Sequence, residues 1–411
     1  MKIQIITLSA VLMFGNLFAQ TITNYTTTDG LLNDNVLCVA IDGTNTLWFG
    51  TQMGVSVFDG VNWSSHTTTT DPGLVDNNIQ AIYCAANGDV WVGTDFGASV
   101  FNGTSWTTYT SVDGLGNDVV KCVSEDQDGH IWFGTNNGAS EFDGASWVSY
   151  GSSQGIPFGG VNSITLHSNG DLWMGTGLSG ILIFDGSSFT GVSSADGLID
   201  DRVRAIAIDE QNNKWVGTSQ GVSVFDNSDT FAANHTTMFT LPAPDTLNPI
   251  EDVKIDGGGN IWVGVYVDYL VTEGGVCAYN GNQWVEYHVA DGLVGPVVRG
   301  LAIDSNDDVW VATSTGVSKI HDPTVALQSH SEFVPFELYP NPAAGVVHVT
   351  LMDRVIEKEQ HVVVYDASMQ LVAEQSVASD QNKVTFALED LNSGVYFVRC
   401  GAQIKKLIIY K

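Results

Sequence analysis

The sequence predicts an all-β protein, a seven-bladed β-propeller followed by a small C-terminal β-sandwich. Three observations carry this expectation. A tryptophan-centred tetrapeptide recurs seven times, with 43, 41, 41, 42, 47 and 48 residues between successive tryptophans. Each interval holds four strand-like pieces separated by tight-turn residues. From residue 337 onward the tetrapeptide is gone and short alternating apolar segments take its place.

The tetrapeptide reads Trp48-Phe49-Gly50-Thr51, Trp91-Val92-Gly93-Thr94, Trp132-Phe133-Gly134-Thr135, Trp173-Met174-Gly175-Thr176 and Trp215-Val216-Gly217-Thr218, with weaker copies at Trp262 and Trp310. Spacing near 42 residues matches one four-stranded blade. In the third repeat the strands are expected at 119–125, 131–135, 139–142 and 146–150. Asp128-Gly129, Asn137-Gly138 and Asp143-Gly144 supply the positive φ angles of the turns between them. An aromatic opens the fourth strand in most repeats (Trp63, Trp106, Trp147, Phe189, Trp284), where large rings fill the widening wedge between blades. Repeat five carries a long excursion over 228–245.

Repeat seven stops near Asp322 without a fourth strand. Tyr25-Thr26-Thr27-Thr28-Asp29-Gly30 aligns with Tyr109-Thr110-Ser111-Val112-Asp113-Gly114, which ends one blade and begins the next. The segment after residue 20 is therefore expected to complete the seventh blade and cover the exposed sheet edges. The unit Asp-Gly-Leu, strand, Asp-Gly turn, Trp-x-Gly-Thr, Gly-Val-Ser-x-Phe-Asp resembles the two-component-regulator propeller repeat of bacterial extracellular sensors. Repeats four and six depart from it at Gln154-Gly155-Ile156 and Asp245-Thr246-Leu247. No kinase accompanies it, so signalling is not carried over.

Residues 323–336 read as a linker and 337–411 as a compact β-sandwich. The tail resembles the C-terminal sorting domain of the type IX secretion system of Bacteroidetes. The matching residues are Tyr339, Pro340, Asn341 and Pro342, then Gly394 and Tyr396, then the basic finish Lys405, Lys406 and Lys411. The resemblance implies type IX secretion machinery as a partner and a destination outside the cell or on its surface. It also implies a tail that is often removed, leaving cargo released or attached to surface lipopolysaccharide.

The formal net charge is −31. Residues 21–331 hold 36 acids against 7 bases. Such a surface repels phosphate backbones and anionic membranes, which excludes nucleic acid as a partner and favours solubility. Residues 1–19 read as a signal peptide, with an apolar stretch over 3–18 and cleavage after Ala19. No later segment is long and apolar enough for a transmembrane helix. Five cysteines (Cys38, Cys84, Cys122, Cys277, Cys400) at irregular spacing make no disulfide framework and read as small buried apolar groups. A monomer is expected.

For function, the fourth-to-first-strand and second-to-third-strand loops share one face of a propeller, where ligands gather over the channel. That face receives Asp34, Asp76, Asp118 and Asp201, which can bond sugar hydroxyls, hold Ca²⁺, or simply make turns. Repeat six adds Tyr266 and Tyr269, which can stack on a ring-shaped ligand or on a neighbouring loop. No cofactor and no catalytic motif is read. A sialidase needs three convergent arginines, whereas Arg202 and Arg204 share one strand with only Arg299 elsewhere in the repeats. A streptogramin-lyase-type site needs a His and a Glu beside a metal, and His130, His167, His235 and His288 fall in unrelated places. The principal reading is an exported ligand-binding propeller for a glycan or protein. The alternatives are a secreted lyase or glycosidase using loop acids, and an adhesive surface protein.

Overall fold

A computed structural model gives the fold. It describes residues 21–156, 159–240, 248–265, 274–321, 336–351, 360–365, 371–377, 383–388, 391–400 and 403–410. The expected signal peptide lies outside these residues. Two compact units are divided between Leu327 and Gln328.

The described strands of the first unit form seven four-stranded antiparallel sheets. The first strand of each sheet packs on the first strand of the next, and that of the seventh on that of the first, so the sheets close a ring. Strand Thr21–Tyr25 pairs with Gly316–His321 and supplies the outer strand of the seventh sheet. Asn24 fixes the junction: its amide donates to Gly292 O at 2.8 Å and its oxygen accepts from Ser318 Oγ at 2.7 Å. Tyr25 stacks on Trp310 at 5.4 Å. No α-helix occurs among the described residues, only single 3-10 turns at Ser152–Gln154, Ser194–Asp196 and Val289–Asp291.

Each letter of the tetrapeptide has a mechanical role. The tryptophan fills the wedge between blades; Trp132, Trp173 and Trp262 are fully buried. Burying one such ring contributes about 4–6 kcal/mol of hydrophobic stabilisation against an extended chain, before entropy is counted. In five blades an aspartate six residues earlier accepts the indole N–H, as Asp126 does from Trp132 at 2.8 Å. The second residue, such as Phe49 or Val216, faces the opposite wedge. The glycine lets the next blade close in: a Cβ on Gly93 would stand 2.5 Å from Val120 Cγ1. The threonine closes the following turn, with Thr94 Oγ1 donating to Gly97 O at 2.9 Å. The serine of Gly-Val-Ser accepts a backbone N–H from the loop entering its own blade, as Ser140 does from Gly116 at 2.9 Å. Seven apolar clusters result, one at each blade interface.

Blade five differs from the sequence expectation. Phe231–His235 is its fourth strand, not part of an excursion. The long turn over 226–230, which wraps the buried ammonium of Lys214, hides the usual aromatic spacing. Lys214 occupies a position that is apolar in the sibling blades, pairs with Asp229 and lies 5.1 Å over the Trp173 ring.

The second unit is a sandwich of a three-stranded sheet, Phe336–Tyr339, Val346–Leu351 and Lys383–Ala387, and a four-stranded sheet. The latter is ordered Leu371–Val377, Gln360–Tyr365, Gly394–Cys400, Gln403–Ile409. Its core includes Val347, Val362, Val398 and Leu407. Phe336, counted with the linker from sequence, is fully buried there and opens the first strand. Asn341 clamps the last strand: its amide donates to Lys406 O at 2.7 Å and its oxygen accepts Ile408 N–H at 3.0 Å. Tyr339 is exposed, Tyr396 is buried and donates to Asn392 O at 2.9 Å, and Lys405 lies 5.4 Å over the Phe336 ring. Gly394 opens its strand, and Lys406 points to solvent.

Candidate functional site

The inner strands are regular except at one place. In six blades the ladder skips one residue, between Val36 and Cys38, Val120 and Cys122, Val161 and Ser163, Val203 and Ala205, Ile250 and Asp252, and Val298 and Gly300. The skipped residues are Leu37, Lys121, Asn162, Arg204, Glu251 and Arg299. A bulged residue leaves the pairing pattern and its side chain is re-aimed. Here all six, with Gln80 of blade two, turn into the central channel and line a cavity of about 760 Å³. Asp95, Asn136, Gly177 and Ser219 also line it, each directly after the second strand of its blade, so the cavity lies at the face of the second-to-third-strand turns.

Polar contacts run around half of this ring. Lys121 Nζ donates to Asn162 Oδ1 at 3.1 Å and to Gly159 O at 3.3 Å. Asn162 donates to Val203 O at 2.9 Å. Arg204 donates to Glu251 at 2.6 Å. Burial raises the Glu251 pKa, and the attraction of Arg204 and then Arg299 works against that rise. Desolvation likewise lowers the Lys121 pKa. Lys254 bonds Asp252 at 2.6 Å, and the other oxygen of Asp252 accepts Leu301 N–H at 2.9 Å. Arg299 Nε and Ser163 Oγ, both on cavity-lining residues, are buried without a hydrogen-bond partner.

The loop aspartates expected as ligand contacts lie on the same face, but none lines the cavity. Asp34 accepts Thr27 N–H at 2.7 Å, Asp118 accepts Ser111 N–H at 2.6 Å and Asp201 accepts Ser194 N–H at 2.7 Å, each with the hydroxyl of the same residue on the second oxygen. One bracing arrangement thus recurs in three inter-blade loops. Asp76 sits one place earlier in its loop and accepts Asn77 N–H at 2.8 Å, while Asn77 takes the brace to Thr68 N–H at 2.9 Å. Tyr266 and Tyr269 lie outside the described residues.

His130, His167, His235 and His288 do not line the cavity either. His130 does meet Glu141 at 2.7 Å and Asp126 at 3.7 Å, a trio whose ligand atoms could surround a metal ion. Sequence reading missed Glu141 because it arrives from the facing strand, opposite Trp132. Asp126 is already engaged by Trp132 Nε1, Asp128 N–H and His130 N–H. Burial pushes the thiols of Cys38 and Cys122 up to about 12, so they are inert packing groups on the channel wall.

The sequence could have disclosed the ring. Leu37, Gln80, Lys121, Asn162, Arg204, Glu251 and Arg299 each stand eleven residues before the repeat tryptophan.

Comparison with known proteins agrees with this architecture. Residues 337–410 match the secretion system C-terminal sorting domain, and residues 73–96 and 114–137 match the two component regulator propeller. No curated protein sequence matches the chain. Among solved structures, PorZ, an essential surface component of the type-IX secretion system of Porphyromonas gingivalis, superposes with TM-score 0.59 at 16% identity. That match covers 92% of this chain, which spans 60% of the length of PorZ. A streptogramin B lyase superposes with TM-score 0.59 at 13% identity, covering 74% of this chain and 97% of the lyase. YCF48 bound to D1 peptide gives TM-score 0.54 at 11% identity, covering 74% and 96%. At these identities the likeness is one of fold. The sorting domain marks the chain for export to the cell surface or beyond, with the secretion machinery as a partner of its tail. No helix among the described residues is long and apolar enough to cross a membrane.

Proposed function

We propose that this exported propeller is a ligand-binding module and that its ligand, a glycan or a protein segment, enters the bulge-lined end of the channel. One observation carries the reading. Positions that hold the fold together vary little from blade to blade: the tryptophan in all seven, the glycine or its alanine substitute, the turn threonine in six, the loop-locking serine in five. The bulge position is placed just as regularly, yet its seven occupants are Leu37, Gln80, Lys121, Asn162, Arg204, Glu251 and Arg299. Packing demands nothing so varied of a site facing water, whereas a shaped ligand does.

The test is a thermal-shift screen of the mature chain against sugars, peptides and Ca²⁺, since a ligand of the native state raises the melting temperature. Hits are repeated on Leu37→Trp, which fills the channel from its one apolar ring position and leaves the charged positions intact. Stabilisation lost in this variant supports the channel. Stabilisation that persists places the site elsewhere and sinks the proposal.

A further inference from the structure

We infer that the channel recognises a small, hydroxyl-rich monocarboxylate of the uronic-acid type, its carboxylate received by Arg299 beside Arg204; this rests on reading the channel as the ligand site. The argument begins with charge. Residues 21–331 contain 36 acids and only 7 bases. Fewer than a tenth of those residues line the cavity, yet five of the seven bases are among them: Lys121, Arg202, Arg204, Lys254 and Arg299. Among the described residues, three acids, Asp95, Glu251 and Asp252, line it as well. A strongly acidic protein has gathered its cations on one wall.

Those acids do not cancel the cations. Asp252 is taken up by Lys254 and by backbone N–H groups of Val253 and Leu301. Glu251 bonds Arg204 and also lies within the field of Arg299, so one carboxylate serves two guanidiniums. Arg299 Nε remains a buried donor without a partner. A partly desolvated guanidinium short of an acceptor is costly until an oxyanion meets it, and the planar fork suits a carboxylate.

The rest of the wall speaks for hydroxyls. Gln80 stands at the ring position of blade two, Asn136 and Ser219 line the cavity directly after their second strands, and among the described residues no aromatic side chain lines it. The overall field selects against dense charge: a polyanion would meet the acidic surface before the channel, whereas a monoanion need satisfy only the local excess. The ligand can be a free sugar acid or the terminal uronate of an otherwise neutral oligosaccharide.

Isothermal titration of the mature full-length chain decides, with D-glucuronate, D-glucose and a neutral oligosaccharide ending in glucuronate as probes. Glucuronate is expected to bind at least about tenfold more tightly than glucose, as loss of a charge-assisted hydrogen bond implies. Arg299→Gln should remove that preference without lowering the melting temperature. Glu251→Gln should tighten glucuronate binding several-fold, because it removes a competing carboxylate. Stronger binding of the oligosaccharide than of the free acid identifies a chain end as the source, and the reverse identifies the free acid. Glucuronate binding no better than glucose, or weakening in Glu251→Gln, overturns the inference. A neutral ligand that binds, is lost in Leu37→Trp and ignores both charge variants overturns it while leaving the channel reading intact. Absence of any ligand sensitive to Leu37→Trp removes both.

Discussion

Blade two lacks a contact that five of its siblings have, and supplying it should stabilise the protein. The indole of Trp91 is buried, and its Nε1 has no partner. In the siblings that atom donates to an aspartate six residues earlier, at 3.1 Å for Asp42, 2.8 Å for Asp126, 3.2 Å for Asp209, 2.8 Å for Asp256 and 3.0 Å for Asp304. The corresponding residue of blade two is Ala85. Ala85→Asp brings a charged acceptor to a stranded donor, worth about 1.5–3 kcal/mol. Desolvation of the new carboxylate and repulsion from Glu125, which accepts Ala86 N–H at 2.8 Å, reduce this. The net is about 1–2 kcal/mol, or about 2–3 °C for a cooperative unit of roughly 300 residues. The reverse change, Asp256→Ala, strands Trp262 Nε1 and the Asn260 amide in a buried turn. It should cost about 3–5 kcal/mol and lower the melting temperature by about 5–8 °C. Scanning calorimetry at pH 7 measures both. A lower melting temperature in Ala85→Asp, or less than about 1 °C lost in Asp256→Ala, would show that these carboxylates are not what holds the tryptophans.

Other perturbations follow from the same contacts. Deleting residues 21–25 leaves the seventh sheet with three strands and uncovers the Gly316–His321 edge; the melting temperature should fall by about 10 °C or more, and an unchanged one would mean the ring closes without that strand. Asp59 and Asp143 are held below the ordinary carboxylate pKa of 3.8 by turn N–H groups, of Asn62 and Ser146 respectively, and Asp185 by the Ser187 hydroxyl and then Ser188 N–H. Their contribution is present above the unfolded value and lost as pH falls through the lower folded values, so acid lability from these groups should begin only below about pH 4. A melting temperature already falling between pH 7 and 5 would assign the loss to other groups. Asn341→Ala removes both bonds from the sorting motif to the last strand and should speed hydrogen exchange across residues 404–409; unchanged exchange would give Asn341 a role outside the folded tail.

Much of the fold was legible because each blade states its rules in short, local patterns. Trp-x-Gly-Thr, or its weaker copies at Trp262 and Trp310, marked every second strand, the early stop of repeat seven pointed to Tyr25 as its partner, and the outer aromatics Trp63, Trp106 and Trp147 fell where strand pairing puts them. Phe231 escaped because the Asp226–Thr230 turn lengthens the hairpin that normally sets its spacing. The site was less legible for a different reason. Propeller ligands often sit on loops, whereas this channel wall is built from bulged strand residues. Alternation does not reveal a bulge, and Lys121 or Arg204 considered singly looks like an ordinary exposed base. Only the shared offset from the repeat tryptophan unites them. Asp34, Asp118 and Asp201 drew notice through their chemistry, and the contacts they make are with their own loops.

The account stands or falls on what occupies the channel. A crystal structure of the mature chain soaked with D-glucuronate tests this directly. The predicted result is the sugar inside the bulge ring, its carboxylate within hydrogen-bond distance of Arg299 and Arg204. Density for the sugar on the rim or the opposite face, with the ring filled by solvent alone, would contradict it.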